Sequence, residues 1–206
     1  MSFNEIFKQP AYTLLRKAIS EHIAPLTLVI GSGVSKPAGL PDWHGLRRLV
    51  QLHLDNLRDA KWDENPKFDD IKFRNTKGLD DYWSFFESAR ELLTAATFNG
   101  LVRNSLDVPH DVSSTSYSRL FNLTPRGVVT LNLDRLAGEA FSRSNQGEYI
   151  LPIYGFELSR KWQVITDERP FLVYIHGHIS DSETWVITKY QLNKLRETKA
   201  HDLFLS

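Results

Sequence analysis

The chain has 206 residues, 41% hydrophobic and 24% charged, and its 25 basic and 25 acidic side chains cancel to a formal net charge of zero. That length supports one domain with a sizeable core, and the charge balance offers no whole-molecule attraction to nucleic acid or a membrane surface. The sequence contains no cysteine, which excludes disulfides, a zinc knuckle and a cysteine nucleophile. Met1-Ser2-Phe3-Asn4-Glu5 lacks the basic and apolar regions of a signal peptide. No apolar run approaches the roughly 20 residues that span a bilayer, so a cytoplasmic setting is expected.

In chain order, Leu15, Ile19 and Ile23 recur at four-residue spacing and predict an amphipathic helix over Tyr12 to Ala24, ended by Pro25. Leu26 to Ile30 is a short apolar run and predicts a buried parallel strand. A loop from Gly31 to Pro41 follows, then a helix over Trp43 to Leu57. Ala60 to Gly78 is charged and aperiodic and predicts a surface loop or lid. Asp80 to Ala96 carries Tyr82, Phe85, Phe86, Ala89, Leu92, Leu93 and Ala96 along one side of a helix. Asp107 to Thr115 is a Ser- and Asp-rich linker, and Ser116 to Leu123 a short helix. Val128, Val129 and Leu131 form a second buried strand, with a helix over Arg135 to Arg143 behind it. Further strands are predicted at Tyr149 to Ile153, Phe171 to Ile175 and Trp185 to Ile187, before a helix over Lys189 to Lys199. Strands alternating with helices predict an α/β, Rossmann-like, mostly parallel sheet flanked by helices. The span from about 43 to 111 is too long for an ordinary crossover and is expected to be a helical insertion within one domain over 1–206.

Three strands end in residues suited to a ligand at the carboxyl edge of such a sheet. Leu28-Val29-Ile30 runs into Gly31-Ser32-Gly33-Val34-Ser35, then Gly39-Leu40-Pro41-Asp42. The glycines let backbone amides approach a pyrophosphate, and Ser32 or Ser35 adds a hydroxyl. Pro37, Gly39 and Pro41 break the helix that a dehydrogenase fingerprint needs, and the Gly-Lys-Ser/Thr of a P-loop is missing. Asn132 and Asp134 alternate along an extended segment and both can face a ligand; the plainer reading of Asp134 is a cap on the helix behind it. His176 ends an apolar strand beside Gly177, a placement for a general base or for a turn histidine bonded to backbone. His178 lies on the same side, but scattered histidines without cysteine argue against a metal pair.

Taken together, these motifs resemble the sirtuin superfamily. Gly31-Ser32-Gly33-Val34-Ser35 with Gly39-Leu40-Pro41-Asp42-Trp43 is similar to the family's first NAD-binding loop. Thr130-Leu131-Asn132-Leu133-Asp134 resembles its Thr-Gln-Asn-Ile-Asp motif, and His176-Gly177 its catalytic His-Gly. The resemblance runs from about Leu26 to Tyr190. Sirtuin deacylases add a four-cysteine zinc module, which this cysteine-free chain lacks, so no zinc is expected and Trp43-His44 replaces a Phe-Arg pair. The pattern with its insertion resembles divergent bacterial sirtuin-like domains of anti-phage defence, in which the NAD pocket hydrolyses the cofactor.

That resemblance implies NAD as substrate, with Gly31, Ser32, Gly33, Ser35 and Asp42 at the first loop. Asn132 and His176 would be catalytic, with His176 as general base and Asn132 positioning the attacking water or the ribose hydroxyls; Asp134 would orient ribose or the Asn132 amide, and no metal would take part. It implies a homo-oligomer or a sensor or effector partner, with no membrane and no direct nucleic-acid contact. His201 to Ser206 reads as the approach to a further strand, as in a truncated domain. The alternatives are a non-catalytic NAD- or ADP-ribose-binding or structural subunit and, less favoured, a protein deacylase or ADP-ribosyltransferase.

Overall fold

The computed structural model describes residues 5, 7–21, 25–61, 70–108 and 115–199. Four short strands, β1 (Thr27–Ile30), β2 (Gly127–Thr130), β3 (Ile153–Tyr154) and β4 (Phe171–Tyr174), form one parallel sheet in the order β1-β2-β4-β3. Parallel pairing requires each connection to cross back over the sheet. Here α7 (Leu136–Ser144) joins β2 to β3, and a short α8 (Trp162–Thr166) joins β3 to β4. Helices α2 (Trp43–Lys61), α3 (Asp70–Lys77), α4 (Tyr82–Leu92), α5 (Ala95–Leu106) and α6 (Thr115–Phe121) lie between β1 and β2. Helix α1 (Pro10–Ser20) precedes the sheet and α9 (Lys189–Glu197) follows it. This is the Rossmann-like α/β architecture with inserted helices that the alternation of apolar runs predicts. No described helix is long and apolar enough to cross a membrane.

Alternation along the strands divides the core. Ile30, Val128, Leu172 and Tyr174 face Leu136, Ala137 and Phe141 of α7 and Tyr117 and Phe121 of α6. Val129, Val173 and Phe171 face the other way, onto Ile165 of α8 and Leu195 of α9. A third cluster fills the insertion, where Leu46, Val50 and Leu54 of α2 meet Phe85, Phe86 and Phe98. Leu133, Ile179, Trp185 and Ile187 belong to that cluster, so the insertion rests on the segments that leave β2 and β4.

Several sequence expectations are corrected. β1 is not buried on both faces: it is an edge strand, and Val29 is 74% exposed. The charged stretch after Ala60 contains α3, whose Phe73 is buried; residues 62–69 lie outside the described ones. The long helix over Asp80 to Ala96 is two helices. Thr94 takes φ 57°, and its hydroxyl accepts from the Thr97 amide to start α5. The strand at Tyr149 to Ile153 pairs only from Ile153 onward, since Pro152 has no amide to donate and Tyr149 and Leu151 face solvent. Trp185 to Ile187 is buried but is no strand. Its amides go singly to Ser182 O, His176 O and the Gln191 side chain rather than to a ladder. The expected ends at Ala24, the centre of the Asp107 to Thr115 linker and the His201 to Ser206 tail lie outside the described residues.

Candidate functional site

Register decides which side chains meet. Ile30, Thr130 and Tyr174 are aligned across β1, β2 and β4. Asn132 and His176 therefore each stand two residues beyond one common level, with the first loop leaving from Gly31 beside them. Leu131 and Ile175 continue the pairing for one step, their amides donating to Ile30 O and Thr130 O at 2.9 Å each.

The His176 ring is half-buried, and its Nδ1 lies 3.0 Å from Leu131 O. A carbonyl only accepts, so Nδ1 carries the proton and a neutral ring presents a lone pair at Nε2. Trp43 and Trp83 meet the imidazole edge-on, with ring centroids 5.7 and 5.5 Å away. Burial pushes the pKa of His176 down to about 4, against a small upward pull from the Leu131 carbonyl. Gly177 beside it has φ +85°, and a Cβ there would fall 2.1 Å from Thr184 O. The His-Gly pair is thus fixed by backbone geometry as well as by chemistry.

Ser35, Asn132 and Asp134 converge in one buried polar network. The Ser35 hydroxyl donates to Asp134 Oδ2 at 2.7 Å, and Asn132 Nδ2 donates to Ser35 Oγ at 3.0 Å. Because that hydroxyl proton is used, the 2.8 Å contact between Ser35 Oγ and Tyr117 OH is donated by Tyr117. Asn132 Nδ2 also reaches Tyr117 OH at 3.4 Å. Asp134 Oδ1 accepts from the Leu136 amide at 3.0 Å, at the start of α7. Asp134 therefore binds the first amide of that helix from one position before its N-cap, Arg135, and it anchors the first loop through Ser35 as well. Burial pushes its carboxyl pKa up, and the two donated bonds pull it back. Burial likewise raises the Tyr117 hydroxyl, so it stays protonated at neutral pH.

In the first loop, Ser32–Val34 and Lys36–Ala38 form two short 3₁₀ turns. A Cβ at Gly31 or Gly33 would meet nothing within 4 Å, so both glycines border open space. The Ser32 and Gly33 amides, ahead of the first 3₁₀ bond, donate to no protein group among the described residues. Asp42 accepts from the Gly45 amide at 2.8 Å and from Lys36 Nζ at 3.2 Å, which braces the loop against the start of α2. These bonds, the Gly45 one foremost, hold its carboxyl below the ordinary range. Ser32, Asp42, Trp43, Asn132 and Asp134 line a cleft of about 30 Å³, room for a water or two.

The residues assigned to the NAD site in the sequence thus gather at this edge, with Ser35 and Asp134 turned into the protein and Gly31, Ser32 and Gly33 turned outward, whereas His178 faces the α7 side. Two participants escaped the sequence reading. Trp83 sits next to the Tyr82–Phe85–Phe86 stripe but packs toward His176, and a bulky aromatic off the apolar face was the available signal. Tyr117 had none beyond its place in a short helix. Among the described residues no cluster of three His, Asp or Glu side chains is arranged to hold a metal.

Residues 126–205 match the family described as the SIR2-like domain. The matched segment starts one residue before β2 and takes in Asn132, Asp134 and His176, so this part of the chain is similar to SIR2-like domains. No curated protein matches the chain.

Proposed function

From a SIR2-like segment over residues 126–205, we propose that the chain, as one domain over 1–206, hydrolyses NAD⁺ to ADP-ribose and nicotinamide. The observation that carries this reading is the level alignment of Asn132 and His176 beyond β2 and β4, with an imidazole whose Nε2 is unprotonated. The open glycines and undonated amides of the first loop suit a diphosphate. In the reaction the bond from ribose C1′ to the nicotinamide nitrogen breaks and its electron pair leaves with nicotinamide. A water oxygen bonds to C1′, and His176 Nε2 takes the proton, which is later released to solvent. An imidazole with a pKa of about 4 is a weak base. That suffices for a water adding to a carbon that already bears positive charge, and it keeps the ring neutral at pH 7. Asn132, with Nδ2 pinned by Ser35 and Tyr117, holds the amide that orients water or the ribose hydroxyls. Ser35, Asp134 and Asp42 hold the loop and the amide in place.

Incubation of the purified protein with NAD⁺, followed by chromatography of nicotinamide and ADP-ribose, tests this. His176→Ala and Asn132→Ala should each lower turnover by about 10²- to 10⁴-fold, and near-normal hydrolysis by either variant would sink the assignment. The resemblance to anti-phage domains supports a role in defence by NAD depletion, restrained by a second copy or a sensor or effector partner. Phage plating on cells carrying the wild type or His176→Ala checks that role.

One observation favours a second reading, a non-catalytic NAD- or ADP-ribose-binding subunit: the first-loop cleft holds only about 30 Å³. Tight NAD⁺ binding without products would decide for it.

A further inference from the structure

On the α7 side of the sheet, between that helix, the β3–β4 edge and the turn after Gly177, lies a cavity of about 560 Å³. Its size falls in the range of small-molecule sites, and it is distinct from the first-loop cleft, sharing no lining residue with it. Leu172 and Ile150 supply an apolar wall, and the rings of Tyr149, Tyr154 and His178 border it. Tyr149 is 75% exposed, an aromatic face beside a cavity rather than in a core.

The polar groups there are set by their neighbours. The Ser180 hydroxyl lies 2.7 Å from His178 Nδ1, and the Ser180 amide donates to the same nitrogen at 3.3 Å. An amide nitrogen cannot accept, so the proton of the neutral ring sits on Nε2 and remains a donor. Tyr174 holds that ring edge-on at 4.9 Å. Burial, then the nearby Arg135, lowers the His178 pKa, which keeps the ring neutral. Arg135 Nε grips Glu139 Oε1 at 2.6 Å, while Arg143 reaches Glu139 Oε2 only at 3.4 Å with its side chain 57% exposed. Arg135 is held between Glu139 and Asp107, whose Oδ1 lies 2.7 Å from its Nη1, so the more exposed Arg143 is the cation able to turn toward a ligand.

A flat π-face, a neutral N–H donor and a guanidinium around one cavity match a base, its acceptor atoms and a phosphate. We propose that this cavity binds a nucleoside monophosphate unit, with the base against Tyr149, an acceptor on His178 Nε2 and the phosphate on Arg143. The unit is either a free mononucleotide or the adenylate half of a dinucleotide. The proposal is independent of NAD hydrolysis, since it uses no residue assigned to that reaction.

Calorimetry with AMP, ADP-ribose and inorganic phosphate tests it on the wild type, Arg143→Ala, Tyr149→Ala and His176→Ala. Both Arg143 and Tyr149 are exposed, so their variants should fold, which circular dichroism verifies. AMP should bind at one site, weaken roughly tenfold or more in Arg143→Ala and Tyr149→Ala, and bind His176→Ala normally. Phosphate alone should bind far more weakly. ADP-ribose binding that depends on Arg143, without AMP binding, supports the dinucleotide source. The proposal is overturned if neither nucleotide binds, or if binding is indifferent to both Arg143→Ala and Tyr149→Ala. Loss of hydrolysis with AMP binding intact separates the failure of one reading from that of the other.

Discussion

The edges of Trp43 and Trp83 strip water from a His176 imidazole that would titrate near 6.5 in solvent and titrates at about 4 here. The unfolded chain thus binds more protons at His176 than the folded one between those values. The stability this residue contributes is whole above pH 6.5 and is lost as pH falls through about 4. Titration of the His176 ring by NMR should give an inflection near 4. Trp83→Ala should move it upward by about one unit by readmitting water, with Trp83→Phe in between. A wild-type inflection near 6.5 would remove the indoles from this role. At this scale the sequence was legible where chemistry and local pattern coincide: a histidine before glycine at the end of Phe171-Leu172-Val173-Tyr174-Ile175. Tyr117 was not legible, and Trp83 showed only as a bulky aromatic off the apolar face, because each acts on a residue far along the chain and only the fold brings them together.

Between strand and helix, much of the site is set by backbone. The segment after β4 must turn at Gly177 with φ +85° and pass against Thr184 O. An alanine there meets both a left-handed backbone and a carbonyl 2.1 Å from its Cβ. Gly177→Ala should therefore cost roughly 3–5 kcal/mol of folding stability, measured by urea unfolding. Gly33→Ala, whose Cβ points into open space, should cost less than about 1 kcal/mol. Equal losses would mean that the turn at Ser182–Thr184 moves aside freely. The same scale explains which elements the sequence hid. Trp185-Val186-Ile187 has the composition of a strand, yet its amides find the His176 carbonyl and the Gln191 side chain. The apolar stripe of α4 runs on toward Ala96 in the sequence, and the break at Thr94 is a cap that periodicity alone does not register.

Across the molecule, the inserted helices rest on the segments leaving the sheet, and two of them bring indoles against His176. Trp43 belongs to α2 and Trp83 to α4, and their rings lie 5.5 Å apart over His176. Glu87 of α4 accepts from the Tyr190 amide at 2.6 Å, and Arg47 of α2 donates to Asp80 O at 3.0 Å, tying the insertion to α9 and to itself. A dinucleotide needs several hundred Å³, against about 30 Å³ at the first-loop cleft. On the proposed function, a dinucleotide entering this cleft displaces part of that loop, and the brace of Asp42 on Lys36 and Gly45 is exposed enough to yield. Ser35, buried and bonded to Asp134, should stay fixed as the hinge point. Hydrogen exchange with saturating NAD⁺ should then show slower exchange at Ser32 and Gly33, where amides gain acceptors. Exchange should be faster around Lys36 to Pro41, where the loop lifts. An unchanged first loop during turnover would place the ligand elsewhere on the sheet edge and leave the glycines without a role in binding, whereas protection without opening would mean that the diphosphate lies on their outer side and only nicotinamide reaches His176.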